Sequence, residues 1–318
     1  MKIKAKEKQK GVALFVTLLV VTIATLLATE MWFNNTLDIA RQFNNRASYQ
    51  ANHYAKGMLL WANDILKKDY QENSSFDNNT EIWNRPIAGI QLEDAILSGQ
   101  LSDMNGKFNL NNLFINGEVH FESRAYFIRV LTKLELDVSI VDKIIDWIDP
   151  DQVPLQHGAE DSFYLSQNPS YRTAGQYFVH ISEIKMVAGI NERIFQRLKG
   201  FVTVLPIVGN TVTKMNVNTV PTLLIMSLDD RISSQEALAL YQNGAASNQK
   251  LADFFNQRAI INYNLNQEAL KIIIDTKSNW FHAEINVNMG QSNFKKFALI
   301  SRFSPTPIVV QWSTTPFD

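Results

Sequence analysis

The sequence predicts an α+β fold in which a long N-terminal helix packs on an antiparallel β-sheet, with a large α-helical domain inserted into that sheet. Three patterns predict it. Residues 12–68 follow an unbroken helical pattern, helical periodicity dominates residues 121–260, and apolar residues near the C-terminus recur with a period of two. Strands, then helices, then strands again indicate a helical domain placed between parts of one sheet.

The N-terminus joins a basic segment to an apolar one. Residues 1–10 contain five lysines and one glutamate, and Lys10-Gly11 is followed by 18 uncharged residues, 12–29. As a helix with a rise of ~1.5 Å per residue these span about 27 Å, close to the ~30 Å hydrocarbon core of a bilayer. Lysines before the span favour a cytoplasmic N-terminus, so the sequence predicts a transmembrane segment with the body on the other side of the membrane.

The same helix is predicted to continue past the membrane. Residues 31–68 contain no proline and one glycine, Gly57, and their apolar residues recur every three or four positions. Residues 30–68 are therefore the amphipathic part of one helix of roughly 85 Å. A secretory signal peptide ending near Ala28 is the alternative, although the apolar run is longer than the ~7–15 residues usual in such peptides.

Residues 69–120 and 261–318 are predicted to form the sheet domain, and residues 121–260 the inserted α-helical domain. Asn105-Gly106 predicts a hairpin turn within residues 90–110, because this dipeptide suits two-residue turns. Near the C-terminus, four strands are predicted at residues 269–275, 280–288, 294–303 and 308–312, and Met289-Gly290 is predicted to begin a turn. Helices are predicted at residues 121–134, 138–148, 181–188, 192–199, 220–228 and 233–241.

One loop between two predicted helices is rich in carboxylates. Within thirteen residues the chain carries Asp149, Asp151, Glu160 and Asp161. A divalent cation would turn their repulsion into coordination, and calcium accepts six to eight oxygens in irregular loops, whereas magnesium demands a stricter octahedron. Zinc fits poorly, because cysteine is absent and His157 is a lone candidate. The alternative is a solvated acidic loop whose aspartates cap helices; Asp146 is predicted to cap or orient the loop.

Several motifs resemble those of the K-subunit family, the large minor pseudopilins of bacterial type II secretion. The basic segment ending in Gly11, the apolar run and the long helix are similar to a type IV pilin or pseudopilin N-terminus. Residues 103–112 resemble the family's D-x-x-G-x-F-N-L-N-N segment, residues 146–164 its D-W-x-D-x-D and G-A-E-D motifs, and residues 215–219 its N-V-N-T run. Residues 171–189 resemble a further segment, with Gly175 in place of the family's asparagine.

The sequence also resembles the K subunit in lacking a glutamate that most pilins carry. Pilins carry a glutamate at the fifth residue of the mature chain, where this sequence has Val16. A carboxylate in lipid is costly unless it is paired, and pilins pair it with the amino terminus of a neighbouring subunit. A subunit at the tip of the fibre has no earlier subunit to neutralise.

The resemblance implies a pilin-like fold and specific functional residues. A prepilin peptidase would remove residues 1–11 by cleaving between Gly11 and Val12, and Val12 would become N-methylated. Calcium would be bound by a carbonyl near Gln152 and by four carboxylates, those of Asp149, Asp151, Glu160 and Asp161. The implied partners are the I and J minor pseudopilins in a ternary tip complex, the major pseudopilin, the prepilin peptidase and the inner membrane, with the body in the periplasm. The implied function is to initiate and cap the fibre that drives export of folded proteins across the outer membrane.

Other classes of function have less support. A net charge of −1 gives no electrostatic basis for binding nucleic acid, and residues 228–231 form an acidic turn without the glycine that a DNA-binding helix-hairpin-helix needs. The sequence has no G-x-S-x-G, H-E-x-x-H or P-loop motif, so we predict no enzyme; four acids in one loop suit a cation better than a glycosidase pair. A minor pilin of a type IV pilus and a secreted calcium-binding enzyme remain as alternatives.

Overall fold

The computed structural model describes residues 12–290 and 292–317, which contain one long helix, a five-stranded sheet and a set of short helices. The α-helices are α1 Val12–Glu72, α2 Phe121–Lys133, α3 Ile140–Ile148, α4 Asp161–Tyr164, α5 Glu192–Leu198, α6 Thr222–Met226, α7 Ser234–Tyr241, α8 Leu251–Phe255 and α9 Gln267–Ile273. The strands are β1 Ile87–Gln91, β2 Ile96–Asp103, β3 Phe108–Asn109, β4 Phe114–Ile115, β5 Glu118–Val119, β6 Val202–Thr203, β7 Met215–Asn216, β8 Ile274–Asp275, β9 Trp280–Met289, β10 Ser292–Ser301 and β11 Ile308–Ser313.

The chain divides into two compact units, Met1–Tyr54 and Ala55–Asp318, and the described part of the first unit is entirely helix α1. An 18-residue window of α1 has a mean hydropathy of 2.5, is unburied, and by length and composition could cross a membrane. The hydroxyls of Thr22, Thr25 and Thr29 each donate to the carbonyl four residues earlier at 2.7–2.8 Å. These bonds satisfy the polar groups that would otherwise be costly in hydrocarbon.

The second unit is built on an antiparallel sheet with the strand order β1-β2-β9-β10-β11. Strands β9 and β10 form a hairpin that turns after Met289 through Gly290, whose φ of +58° suits glycine. This turn and the three strands β9, β10 and β11 confirm their predictions. Strands β2 and β9 are neighbours in the sheet although residues 104–279 separate them, so the helices α2 to α9 are an insertion between two paired strands.

Two local predictions were wrong. Residues 269–275 form helix α9 and the two-residue strand β8, because Asn266 caps the helix by accepting a hydrogen bond from the Ala269 N–H at 3.2 Å, and Leu270 and Ile273 are buried at helical spacing. Asn105-Gly106 is not a hairpin turn: β1 and β2 are joined at residues 92–95, and β3, which follows residue 106, pairs in parallel with β6.

Within the second unit, the end of α1 packs on the sheet through a stripe of small and apolar side chains. Ala55, Met58, Ala62 and Leu66 are all buried, at the spacing of one helix face. Gly99 of β2 makes the close approach possible, because a Cβ there would lie 3.2 Å from the Met58 Cε and 3.1 Å from the carbonyl oxygen of residue 284. The inserted helices enclose a separate large core, which also includes residues 108–113 and 270–274.

Two buried asparagines of the 103–112 segment bind backbone groups that are distant in sequence. The side chain of Asn105 donates to the Lys214 carbonyl at 2.6 Å and accepts from the Asn279 and Trp280 N–H groups at 3.0 and 2.9 Å. Asn112 bonds both backbone groups of Thr213, donating to its carbonyl at 2.8 Å and accepting from its N–H at 2.9 Å. The segment predicted as a turn and strand therefore contains, beyond the end of β2, only the two-residue strand β3, and its buried amides fix residues distant in sequence.

A buried ion-pair cluster fixes the end of α1. The guanidinium of Arg302, with 3% of its side chain exposed, contacts Asp69 of α1 at 2.6 Å, pairs with Asp77, and donates to the Ser278 carbonyl at 3.2 Å. Its plane also lies over the Phe281 ring at 4.5 Å from the centroid. One side chain thus links the end of α1, the segment that follows it and the central strands of the sheet.

Candidate metal centre

Three buried carboxylates come together where helix α3 ends. Asp146 lies in the last turn of α3, Asp149 caps its C-terminus, and Glu160 immediately precedes α4. Their side chains are 0%, 5% and 2% exposed, and one oxygen of each lies within 4.8 Å of the others. Pro150 directly after Asp149 prevents the helix from continuing, so the chain turns back and brings residue 160 beside residues 146 and 149.

The oxygens of this carboxylate cluster are poorly satisfied by protein donors. Asp149 Oδ1 and both side-chain oxygens of Glu160 are buried and have no hydrogen-bond partner among the described residues. Asp146 accepts from the Leu155 N–H at 3.2 Å and from the backbone of Ala159. Leaving a buried acceptor unpaired costs ~1–3 kcal/mol, and more when it is charged, so these oxygens need a further partner.

Burial and mutual repulsion shift the acidity of all three groups. Burial, followed by the charges of the neighbouring aspartates, raises the pKa of Glu160 to about 8. Burial and the charges of Asp151 and Asp146 raise the pKa of Asp149 to about 6, and burial raises the pKa of Asp146 to about 6. The site therefore favours neutralisation, by protons or by a cation.

The donor set fits a hard divalent cation. It consists of carboxylate oxygens without nitrogen or sulfur ligands, in an irregular loop, which is the chemistry that calcium prefers. A second group of acids, Asp69, Asp77 and Glu81, also has oxygens within 4.8 Å of one another. There the Arg302 guanidinium already supplies the positive charge, whereas no described lysine or arginine pairs with the three carboxylates at the end of α3.

The structure brings together two of the predicted ligands, Asp149 and Glu160, and adds Asp146. The side chains of the other predicted residues make protein contacts instead. Asp151 is exposed and accepts from the Val153 N–H at 2.8 Å, and Gln152 accepts from the Asp161 N–H at 3.3 Å.

Asp161 is also engaged by the protein. It accepts from the N–H and hydroxyl of Thr173 at 2.9 and 3.1 Å and lies 3.6 Å from the Arg172 guanidinium. The sequence predicts that Asp146 caps or orients the loop and does not place it among the ligands. Its three-residue spacing from Asp149 was the available signal, since residues i and i+3 share one face of a helix.

Aromatic packing and a glycine position the loop. The Trp147 and Tyr164 rings meet edge to face with centroids 5.2 Å apart, and the Tyr164 hydroxyl accepts from the Ala188 N–H at 3.0 Å. Gly175 has a φ of +55°, and its N–H donates to the Trp147 carbonyl at 3.1 Å. Glycine adopts this left-handed conformation freely, and asparagine adopts it more readily than most residues, so both residue types suit this position.

We expect Gly158→Ala to disrupt the carboxylate cluster. A Cβ at residue 158 would lie 1.7 Å from Asp146 Oδ2, so the carboxylate or the loop must move, at a cost of about 1–3 kcal/mol in the free energy of unfolding. Urea denaturation of the full-length protein in detergent measures this. Gly200→Ala is the matched control, because nothing lies within 4 Å of a Cβ there. Equal stability of the two variants would contradict the close approach of Gly158 to Asp146.

Without metal, stability is expected to fall as pH rises. The pKa of Glu160 is about 8 when folded, against 4.5 for an ordinary glutamate, so between these values the folded state binds more protons than the unfolded state. The stabilisation is complete below pH 4.5 and is lost as the pH rises through 8. Urea titrations in EDTA at several pH values test this. Glu160→Gln should flatten the slope, and an unchanged slope in that variant would exclude Glu160 as its source.

The chain is similar to known proteins along most of its length. Residues 106–207 match the family model described as type II secretion system (T2SS), protein K. Type II secretion system protein K of Pseudomonas aeruginosa is 35% identical over 231 residues, which cover 69% of this chain and 68% of that protein. The protein of the same name from Pectobacterium carotovorum is 27% identical over 321 residues, covering 96% of both chains.

A solved structure gives the corresponding comparison of folds. The crystal structure of the GspK-GspI-GspJ complex from the type 2 secretion system of enterotoxigenic Escherichia coli contains a chain that matches with a TM-score of 0.74. The match covers 86% of this chain and 98% of that one, at 21% sequence identity. Together with the long helix, the antiparallel sheet and the inserted helices, it confirms the predicted fold class.

Proposed function

Because the chain belongs to the family of type II secretion system protein K, we propose that it is the minor pseudopilin at the tip of the secretion pseudopilus. There it initiates and caps the fibre that drives export of folded proteins across the outer membrane. The observation that carries the proposal is the single helix Val12–Glu72, whose uncharged first part is followed by residues that pack on a pilin-like sheet. Family membership favours this role over that of a minor pilin of a type IV pilus.

The N-terminus is proposed to be processed as in pseudopilins. A prepilin peptidase removes the leader at Gly11, which lies outside the described residues, and Val12, the first described residue of α1, becomes the N-methylated terminus. Residues 12–29 then hold the protein in the inner membrane, with the body in the periplasm. Leader removal leaves Val16 at the fifth position, so no carboxylate there requires a preceding subunit.

Partners are proposed from the same family membership. The structural neighbour is a complex of GspK with GspI and GspJ, and we propose that the corresponding I and J minor pseudopilins join this chain in a ternary tip, above the major pseudopilin. Between β2 and β9 the body carries an insertion of about half the chain, residues 104–279, which adds bulk that the sheet alone lacks. That bulk suits a subunit to which nothing is added above. We expect no catalytic role and no nucleic-acid partner.

The carboxylate cluster is proposed to hold calcium. Asp146, Asp149 and Glu160 offer three ligands, and Asp151, Asp161 or a carbonyl near Gln152 would complete the coordination after small movements of the loop. The unpaired oxygens of Asp149 and Glu160 support this assignment. Calcium would neutralise the cluster and join the end of α3 to the start of α4, so its contribution here is structural.

The test of the proposed function is processing and secretion in a strain whose own gene for this chain is deleted. Gly11→Leu should leave the leader uncut and abolish appearance of the secreted proteins in the medium, while the wild-type chain restores both. Gly57→Ala is the matched control, because Gly57 lies within α1 with nothing within 4 Å of a Cβ. A Gly11→Leu chain that matures and supports secretion would overturn the proposal.

A further inference from the structure

A second candidate site is a cleft of about 330 Å³ in the unit Ala55–Asp318. Residues of the segment 208–214 contribute one wall, and Asp275, Lys277, Asn279 and Trp280 with Phe303 contribute the other. Asn105 also lines the cleft. It shares no residue with the carboxylate cluster.

The walls of this cleft are held in place by buried hydrogen bonds. Asn105, 2% exposed, bonds to the backbone of Lys214 on one wall and to the backbones of Asn279 and Trp280 on the other. Asn112 fixes both backbone groups of Thr213. The cleft is therefore shaped before any ligand arrives, which lowers the entropic cost of binding.

The outer end of the first wall is a tight turn. The N–H and hydroxyl of Thr211 both donate to the Val208 carbonyl, at 3.3 and 2.8 Å. Gly209 and Asn210 between them have φ values of +61° and +53°, the left-handed pair that a two-residue turn of this kind requires. The turn fixes Val208 and Thr211, both of which line the cleft, close to each other.

The charge in the cleft is predominantly positive. Lys214 and Lys277 contribute two ammonium groups, and the single carboxylate, that of Asp275, lies 3.9 Å from the Lys214 nitrogen. The Asp275 carboxylate also accepts a hydrogen bond from the Thr276 N–H at 2.8 Å, so its charge is shared between this bond and Lys214. Lys277 makes no ion pair within the described part of the chain. The ammonium group of Lys277 can therefore pair with a negatively charged ligand, and that of Lys214 is only weakly paired with Asp275.

The cleft also offers apolar surface. Phe303 is 52% exposed, and its ring meets the buried Trp280 ring edge to face at 5.6 Å between centroids. Val208 is 45% exposed on the opposite wall. A solvent-exposed aromatic ring that is fixed by an edge-to-face contact offers a rigid surface on which an apolar side chain can pack.

We propose that this cleft binds an extended protein segment in which a carboxylate side chain lies beside an apolar one. The carboxylate pairs with Lys214 and Lys277, and the apolar neighbour packs on Phe303. The volume of about 330 Å³ is at the lower end of ligand sites, which span ~300–1,000 Å³, and so suits a few side chains of a peptide. This proposal depends on neither the fibre-tip role nor the metal.

The test measures binding of a fluorescein-labelled peptide, Gly-Phe-Asp-Val-Asp-Gly with an amidated end, to the full-length protein in detergent. Fluorescence anisotropy should show saturable binding. Replacing both aspartates of the peptide with asparagine, or changing the protein by Lys214→Ala and Lys277→Ala together, should each weaken binding about three- to tenfold. The control variant, Lys199→Ala with Lys250→Ala, removes two exposed lysines outside the cleft and should bind like wild type.

Four results would overturn the proposal. Three of them are no saturable binding of the acidic peptide, equal binding of its asparagine form, and unchanged affinity in the Lys214 and Lys277 double variant; the fourth is displacement by a small carboxylate. Free glutamate is added as a competitor to distinguish a peptide site from a site for small carboxylates. If glutamate displaces the peptide at concentrations near the peptide's own Kd, the ligand is a small carboxylate and the peptide proposal fails. Thermal melts of the variants verify that each is folded.

Discussion

Arg302→Met is expected to lower the free energy of unfolding by about 3–5 kcal/mol. The guanidinium is buried and pairs with Asp69 and Asp77, both also buried, so its removal leaves two carboxylates without their counter-charge. Methionine fills a similar volume and therefore tests the charge rather than the packing.

Urea denaturation of the full-length protein in detergent provides the measurement. Arg231→Met is the matched control, because Arg231 forms an ion pair with Asp229 while its side chain is 55% exposed, and exposed pairs contribute ~0–1 kcal/mol. Combining Arg302→Met with Asp69→Asn and Asp77→Asn should restore part of the lost stability, since the unpaired charges disappear. If Arg302→Met is no less stable than Arg231→Met, the cluster does not hold the end of α1.

Calcium is expected to raise the melting temperature of the wild-type protein. A ligand that binds only the folded state adds about 2.7 kcal/mol of stability at a free concentration of 100 times its Kd. Glu160→Gln should abolish most of this increase, because both oxygens of Glu160 are buried without another partner. Thermal melts in EDTA and in excess calcium give the comparison. The control is Glu268→Gln, whose side chain is 86% exposed and which should respond like wild type. A wild-type protein whose melting temperature does not change with calcium would contradict the proposed calcium site.

The same melts distinguish the two proposed ligand sets. If the carboxylate cluster as it stands binds the ion, Asp146→Asn should reduce the calcium response as strongly as Asp149→Asn. If the set implied by the motifs binds it, Asp151→Asn or Asp161→Asn should have the larger effect. Asp151 is exposed and Asp161 is engaged by Thr173, so we expect the larger loss from Asp146.

The parts of the fold that depend on local sequence were predictable. Helix α1 and the hairpin of β9 and β10 follow from periodicity, glycine and charge within a few residues of each position. Helix α9 was predicted as a strand because a short apolar run suits either structure, and the deciding feature, the cap formed by Asn266, is a polar residue just before the run.

The individual contacts between distant residues were not predictable. The order of strands, helices and strands predicts one sheet interrupted by an insertion, but no local pattern specifies that β2 pairs with β9 across more than 170 residues. The roles of Asn105 and Asp146 could not be predicted for the same reason. Their partners, at residues 214, 279 and 280 for Asn105 and at residue 160 for Asp146, are brought near only by the completed fold.

The mass of the N-terminal peptide of the protein isolated from membranes tests most directly whether the chain is a membrane-anchored pseudopilin. We predict a mature chain that begins at Val12 and carries one methyl group on its amino nitrogen. An intact chain that begins at Met1, or a body released into solution after cleavage near Ala28, would contradict the assignment as a membrane-anchored pseudopilin.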